Sequence, residues 1–541
     1  MKTINPIFSL KNFRSFGSDG ADFELAPITV LTGCNSAGKS SLVKALMLLS
    51  NQPKEGSVSS SSYDIDRCVP STELNINSKT LMLGRYDKIL HDQSKERTLC
   101  FSYRIWSDCL QEEVIVKRQF ISTHEDVLNN GSLRNFIIEK TDGSLIYEFD
   151  GLKQDEVNEN FSVIEDNYNR FVFMIDYYRA KDTSLRIKKL PKKKLSQEKE
   201  ENLTNKSLQW LNKASEKVND LSISVENYSQ ETLDKWIHQY YETLDKTQWD
   251  LIVGESLPAK EKEERKKNSF MSLLVNEVIH PWFINDVDYV NSSSAIINRL
   301  YSSEDENKMS RSLRSWNKRI QYFGQDNLLY PDPYVEQNEP GTFLNRWINK
   351  FQIGDSVKIE GTQEGLGLLV YIVKNGEKRL LADEGYGITQ LVSLLLQIDN
   401  NIKMFCAPES DSFKEDDIVY VYPRKVICVE EPEVHLHPKY QSLLAEMFVE
   451  AYQKYNIHFI VETHSEYLIR KLQVMVADKE ITLMPNDVSL NYVEKDENGV
   501  STNRKIEILE DGRLSEPFGP GFFDEADTLA MEILKYKARR K

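Results

Sequence analysis

An α/β fold is the architecture this sequence predicts, with an antiparallel β layer and a helical insertion, and three observations predict it. The apolar, β-branched run Ile28–Leu31 passes through a glycine-rich turn into a strongly apolar helical pattern. Strand-like runs such as Thr98–Trp106, Val114–Ile121 and Phe171–Ile175 recur between residues 80 and 175, separated by acidic and Gly/Asn turns. Between residues 181 and 340 the composition changes to charged and amphipathic helical stretches, and strands and helices then alternate again to the end. The expected division is an N-terminal lobe, 1–180, a charged helical insertion, 181–340, and a C-terminal lobe, 341–541.

Residues 5–31 read as two or three short strands leading into the turn. Gly33-Cys34-Asn35-Ser36-Ala37-Gly38-Lys39-Ser40 fits G-x-x-x-x-G-K-[ST] at every fixed position, and Leu42, Val43, Ala45, Leu46, Leu48 and Leu49 supply the helix that must follow. In such a loop the glycines let backbone N–H groups wrap a phosphate, and the helix N-terminus adds its positive dipole end. The nucleotide-binding set is Gly33, Asn35, Ser36, Ala37, Gly38, Lys39, Ser40 and Ser41. Lys39 is expected to reach the β- and γ-phosphates of ATP, and the Ser40 hydroxyl to coordinate Mg²⁺.

The insertion opens with RIKKLPKKKLSQEKEENL and continues with stretches such as LDKWIHQYYETLDKTQWDLI. Heptads are not sustained long enough for a coiled coil. Two basic sets stand out: Arg186, Lys188, Lys189, Lys192, Lys193 and Lys194, and Arg311, Arg314, Lys318 and Arg319 around Trp316. Each is read first as a solvated face and second as a surface for a partner or a phosphate backbone.

Three stretches of the C-terminal lobe carry chemistry. In LLADEGYGITQLVSLLLQI, Gly385 and Gly387 precede Thr389 and Gln390 at the start of an apolar helix, a second anion-binding N-terminus. One chain rarely needs two such sites for one nucleotide, whereas a dimer can clamp each nucleotide between two subunits. In KVICVEEPEVHLHP, the strand Val426–Val429 ends in adjacent carboxylates. Glu430 is expected to hold Mg²⁺ directly or through water, and Glu431 to orient or deprotonate the attacking water. In HFIVETHSEYLIRKL, the strand Phe459–Val461 delivers His464 to its end, placed to contact the γ-phosphate and sense its loss.

Together these motifs resemble an ABC-type ATPase head of the SMC/RecF-like kind, and LKNFRSF (Leu10–Phe16) resembles that family's first strand. The resemblance implies a signature role for Gly387, Thr389 and Gln390, a D-loop at Glu433–His437, and a switch histidine at His464. The signature reads Gly-Tyr-Gly-Ile-Thr-Gln in place of LSGGQ. No coupling glutamine is assigned; Gln52 lies too close to the loop helix, and Leu83–His91 is read as filling that region. Within the group the chain is most similar to the PtuA ATPases of the Septu and retron antiphage systems, on its length, its N-terminal loop, its insertion and the tail PFGPGFFDEAD (Pro517–Asp527). That likeness implies a homodimer or larger assembly with an HNH endonuclease, and in retrons a reverse transcriptase with its msDNA and ncRNA.

Composition fits a soluble, cytoplasmic protein. The net charge of −16 argues against a surface that coats nucleic acid generally. Six cysteines show no C-x-x-C pair, which points to a reducing compartment. No signal peptide and no run of about 18 apolar residues is present. His435 and His437 lack further ligands at zinc-like spacing and are read as part of the dimer interface. Asp524, Glu525 and Asp527 are read as a solvated C-terminal turn, so a nuclease activity is expected from a partner. The rival reading is a RecF/SMC-like repair ATPase acting on DNA directly; a third is a nucleotide-stabilised scaffold.

Overall fold

The structure, a computed structural model, describes residues 4–50, 73–78, 81–91, 97–107, 110, 112–122, 131–150, 277–278, 281–284, 287–290, 299–302, 310, 312–314, 343–362, 367–402, 405–408, 418–421, 424–481, 483–519 and 522–539. The run Phe171–Ile175, Gln52, the basic set Arg186–Lys194 and residues Arg311, Trp316, Lys318 and Arg319 lie outside these, as does most of the 181–340 insertion. The chain forms two units: Met1–Gly20, Lys44–Asp286 and Phe405–Pro423, and Ala21–Val43, Val287–Met404 and Arg424–Lys541.

The first unit holds an antiparallel sheet of β1 (Ile7–Lys11), β4 (Glu73–Leu74), β5 (Thr98–Ser107), β6 (Glu112–Ser122), β7 (Gly131–Lys140) and β8 (Leu145–Asp150), in the order β1-β5-β6-β7-β4 with β8 also paired to β7. Period-two alternation in β5 and β6 sends Leu99, Phe101, Tyr103, Val114, Val116 and Phe120 inward. Arg118 is buried among them; it donates to the Tyr103 hydroxyl and lies over the Phe136 ring at 5.5 Å.

The second unit is built on a sheet of β3 (Ile28–Gly33), β9 (Val287–Val290), β16 (Lys425–Glu430), β17 (Ile457–Glu462), β18 (Val488–Lys495) and β19 (Ser501–Ile506), ordered β19-β18-β3-β17-β16-β9. All neighbours are parallel except the β18–β19 edge pair. Every residue of β3 and β17 is buried, which is why both are mostly apolar rather than alternating, with Thr29, Thr32, His458 and Glu462 as buried polar exceptions. The unit also holds β2 (Ala21–Glu24) and an antiparallel sheet of β10 (Tyr301–Ser302), β11 (Ser356–Gly361), β12 (Gly367–Lys374) and β13 (Glu377–Leu380), while β14 (Phe405–Pro408) and β15 (Ile418–Val421) pair in the first unit. Among the described residues the helices of eight residues or more are α1 (Ser40–Ser50), α2 (Phe343–Lys350), α3 (Tyr386–Asn401), α4 (Pro438–Tyr455), α5 (Glu466–Ala477) and α6 (Glu525–Arg539). Helix α4 packs on β17 through Phe448 and Phe459, whose rings are 4.6 Å apart; burying such side chains contributes about 1.5–3 kcal/mol each. Arg346 of α2 reaches Glu450 at 2.9 Å and the Tyr455 hydroxyl at 2.8 Å, fixing α2 to α4.

Three sequence expectations change. Strand β9 lies inside the stretch assigned to a helical insertion; it is a four-residue edge strand with one buried position, so its apolar signal is weak. The lobe boundaries differ from the two units because a parallel sheet takes its strands from distant segments, which composition cannot show. Asp524 and Glu525 open helix α6 rather than a turn, and Leu529, Met531, Ile533 and Leu534 of that helix are exposed. Among the described residues no helix is long and apolar enough to cross a membrane, and Cys34, Cys100 and Cys428 are free thiols.

Candidate active site at the ends of three parallel strands

The register of the second unit's sheet brings the separate motifs to one edge. Leu31 of β3 is level with Glu462 of β17, and Glu462 is level with Glu430 of β16. The chain therefore leaves three adjacent strands as the glycine turn, as Thr463-His464-Ser465, and as Glu431. Parallel sheets place ligands in this crevice beyond the carboxyl ends of their strands.

The turn itself has the backbone its glycines permit. Gly33 has φ of +132°, and a Cβ there would lie 2.0 Å from the Val493 carbonyl oxygen, so only glycine fits against β18. Gly38 has φ of 105° and Ser36 of 59°. Ser501 of β19 donates to the Ala37 carbonyl at 2.5 Å, and Ser41 N–H bonds Gly38 at 2.9 Å. Cys34, Asn35 and Ser36 are exposed, leaving the crest of the loop accessible. The Lys39 side chain is 4% exposed, and its Nζ donates to the carbonyls of Gly33 at 3.3 Å and Cys34 at 2.9 Å. Burial holds the ammonium below the usual lysine range, opposed by the charges of Glu462, Glu431 and Glu433.

The carboxylates hold distinct positions. Glu430 accepts from the Tyr289 hydroxyl of β9, whose proton is held well above its ordinary value by burial and by that bond. Glu431 has φ of 42° and donates its N–H to the Glu462 carbonyl at 2.7 Å, so the chain turns sharply between the two acids. The turn falls where the sequence places the end of the apolar strand, between Val429 and Pro432. Glu462, which sequence reasoning missed, is 6% exposed and accepts from Ser40 Oγ at 3.1 Å. Its signal was present in VETHS, a carboxylate ending a buried strand just as Glu430 does.

His464 is solvent-accessible; partial desolvation and the charge of Lys39 push its imidazole below the ordinary value, against Glu431. Its position is fixed from the backbone. The Glu433 carboxylate accepts the His464 N–H at 2.6 Å, and Gln441 takes a bond from Ser465 Oγ at 2.6 Å while donating to Leu436 at 3.0 Å. Thus the turn Glu431–His437 and the segment carrying His464 are tied together twice. Neither Glu433 nor Gln441 was given this role from sequence, since the link depends on tertiary contact alone.

Helix α3 begins at Tyr386, so Gly387, Thr389 and Gln390 lie within its first turn. Thr389 Oγ1 faces the carbonyls of Leu381 and Gly385, both at 3.4 Å, and Gln390 Nε2 donates to the Glu431 carbonyl at 3.2 Å. A Cβ on Gly387 would sit 2.5 Å from the His435 carbonyl oxygen. Gly387 and Gln390 thus meet the carboxylate turn of their own chain, a contact the spacing did not predict, while Thr389 stays with the carbonyls of its own helix start. His437 caps α4 and His435 meets the Tyr386 ring at 4.9 Å; among the described residues no group of three or more His, Cys, Asp or Glu is arranged to hold a metal.

A divalent cation nonetheless fits. Ser40 Oγ, Glu430 and the buried, unpartnered Oε2 of Glu462 offer hard oxygen donors, to be completed by phosphate oxygens and water. Fold and site define a P-loop nucleotide hydrolase on a mainly parallel sheet. Residues 6–469 match the family described as AAA ATPase domain, and the chain belongs to it; it is an ATPase. Residues 483–533 match a second family, a protein of unknown function. No curated protein matches. Similar solved structures include the SMC head domain from Thermotoga maritima, at 12% identity over 93% of this chain and 98% of that one, with a TM-score of 0.35. Another is the Smc head with an extended coiled coil bound to the C-terminal domain of ScpA from Pyrococcus furiosus, at 13% identity over 98% and 99%, with a TM-score of 0.34.

Proposed function

We propose that this ATPase is the regulatory subunit of a bacterial antiphage assembly, PtuA-like, cytoplasmic, acting as a homodimer or higher oligomer that controls an HNH endonuclease. In retron-linked assemblies a reverse transcriptase with its msDNA would accompany it. The observation that carries the hydrolytic part is the alignment of Lys39, Glu430, Glu431 and His464 at the ends of three adjacent strands. The antiphage part rests on the likeness of the motif set, the insertion and the tail Pro517–Asp527.

Gly33 to Ser41 would wrap the ATP phosphates, with Lys39 leaving its carbonyl partners for phosphate oxygens. Ser40 and Glu430 would hold Mg²⁺, which when bound neutralises charge developing on the phosphates. Glu431 would orient the attacking water and take its proton, and the lowered imidazole of His464 would stay neutral near pH 7 and donate one hydrogen bond to the γ-phosphate. The turn that opens α3, with exposed Gly385 and Tyr386, would cap the nucleotide of the partner subunit. Because Gln390 bonds the Glu431 carbonyl, closure on one side can reach the general base on the other.

Co-purification of tagged Glu431→Gln protein from its native host in ATP tests this reading. Recovery of an HNH nuclease, with or without a reverse transcriptase and an RNA–DNA hybrid, is expected. Recovery of repair proteins, or of the homodimer alone, contradicts it.

A further inference from the structure

Glu462 combines three features that its neighbours do not share. It is almost wholly buried, it stands level with Glu430 on the adjacent strand, and it accepts from the hydroxyl of Ser40. Its second oxygen, Oε2, is buried with no hydrogen-bond partner. A buried carboxylate oxygen without a donor is strongly unfavourable, and two carboxylates side by side compound the cost. Lys39 is the nearby cation that could relieve this, but its ammonium donates to the carbonyls of Gly33 and Cys34 and is needed for phosphate. A proton, which burial and the charge of Glu430 favour, can relieve Oε2 before nucleotide binds; in the nucleotide-loaded site a cation between the strand ends and Ser40 would satisfy it and Glu430 together.

We propose that Glu462 is itself a ligand of the divalent cation, so that this site holds its ion with two protein carboxylates and the Ser40 hydroxyl. The inference rests on the nucleotide-site reading above and adds a ligand to it. A carboxylate from the strand preceding His464 would also join the ion to the histidine segment through one intervening residue, Thr463. Loss or movement of the ion would then be felt directly at Thr463 and His464, whose backbone is held by Leu31 and Glu433. Oxygen donors of this kind accept Mn²⁺ in place of Mg²⁺, which provides a spectroscopic probe.

The test titrates Mn²⁺ into the full chain with ADP and counts free ion by electron paramagnetic resonance, for wild type, Glu462→Gln and Glu462→Asp. Glu462→Gln is nearly isosteric and still accepts from Ser40, so only its charge is lost. The expected result is Mn²⁺ binding weakened by about ten-fold or more, with ADP binding in EDTA unchanged. Wild-type Mn²⁺ affinity in Glu462→Gln overturns the proposal and leaves Glu462 as a hydrogen-bond acceptor for Ser40. Should the glutamine variant not fold, Glu462→Asp must bind Mn²⁺ more weakly than wild type, because its shorter carboxylate is withdrawn from the ion; equal affinity overturns the proposal. ADP binding that survives Lys39→Ala unchanged is a different failure, that of the nucleotide site, and the proposal falls with it.

Discussion

Glu433 shows how a single buried side chain sets the state of this site. One carboxylate oxygen takes the His464 N–H, while the other is buried without a partner. Burial holds its acid above the usual carboxylate value; the hydrogen bonds from His464 and Thr463 act against that shift, and Glu431 adds to it. A raised acid binds its proton more tightly in the folded state than in the unfolded one. Its contribution to stability is therefore full below the unfolded pKa, near 4.5, and is lost as pH rises through the folded value. Glu433→Gln keeps an acceptor for His464 and has no charge to bury. In thermal denaturation it should melt above wild type at pH 7.5, and the advantage should shrink towards pH 5. An advantage independent of pH would place its cause elsewhere. At this scale the sequence displayed Lys39, Ser40, Glu430, Glu431 and His464, because each ends an apolar run in a recognisable pattern. Glu433 and Gln441 were not legible in these roles, since each acts through a neighbour distant in sequence, whereas Glu462 was displayed at the end of its strand in VETHS and passed over.

Among the elements, the strand–turn–helix from β3 to α1 was the most legible, and for a physical reason. A fully buried parallel strand and a helix with apolar residues along most of its length leave little freedom in the pattern. Helix α3 was half legible. Its glycines marked a helix start, but their tertiary use was invisible: Gly387 is required because the His435 carbonyl approaches too closely for any side chain. Gly387→Ala must displace the turn Glu431–His437 or the first turn of α3, a strain of about 1–3 kcal/mol. Its melting temperature should fall, and ATP hydrolysis should fall further than stability alone explains, because Gln390 and Glu431 move with the turn. Normal turnover in a folded Gly387→Ala protein would show that this contact does not position the general base. Strand β9 was missed altogether. An edge strand buries little, so VDYV carries no run that composition can detect, although Tyr289 within it supports Glu430.

For the whole molecule, the proposed function makes ATP hydrolysis a property of paired chains. Each chain places Lys39, Ser40, Glu430, Glu431 and His464 at one sheet edge, while Thr389 and Gln390 of α3 bond within their own chain and Gly385 and Tyr386 at its start stay exposed. The proposed pairing uses the exposed start of that helix to close over the nucleotide of a second copy. Composition showed an acidic chain with a changed middle section, but it carries no information on how distant segments assemble, and the second unit draws on three of them. The most direct test is the solution mass of Glu431→Gln protein, measured by light scattering with and without ATP and Mg²⁺. ATP is expected to double the mass or raise it by a further even multiple, and adding Lys39→Ala is expected to remove the change. A mass that is the same with and without ATP would contradict nucleotide-clamped pairing and, with it, the proposed control of a partner.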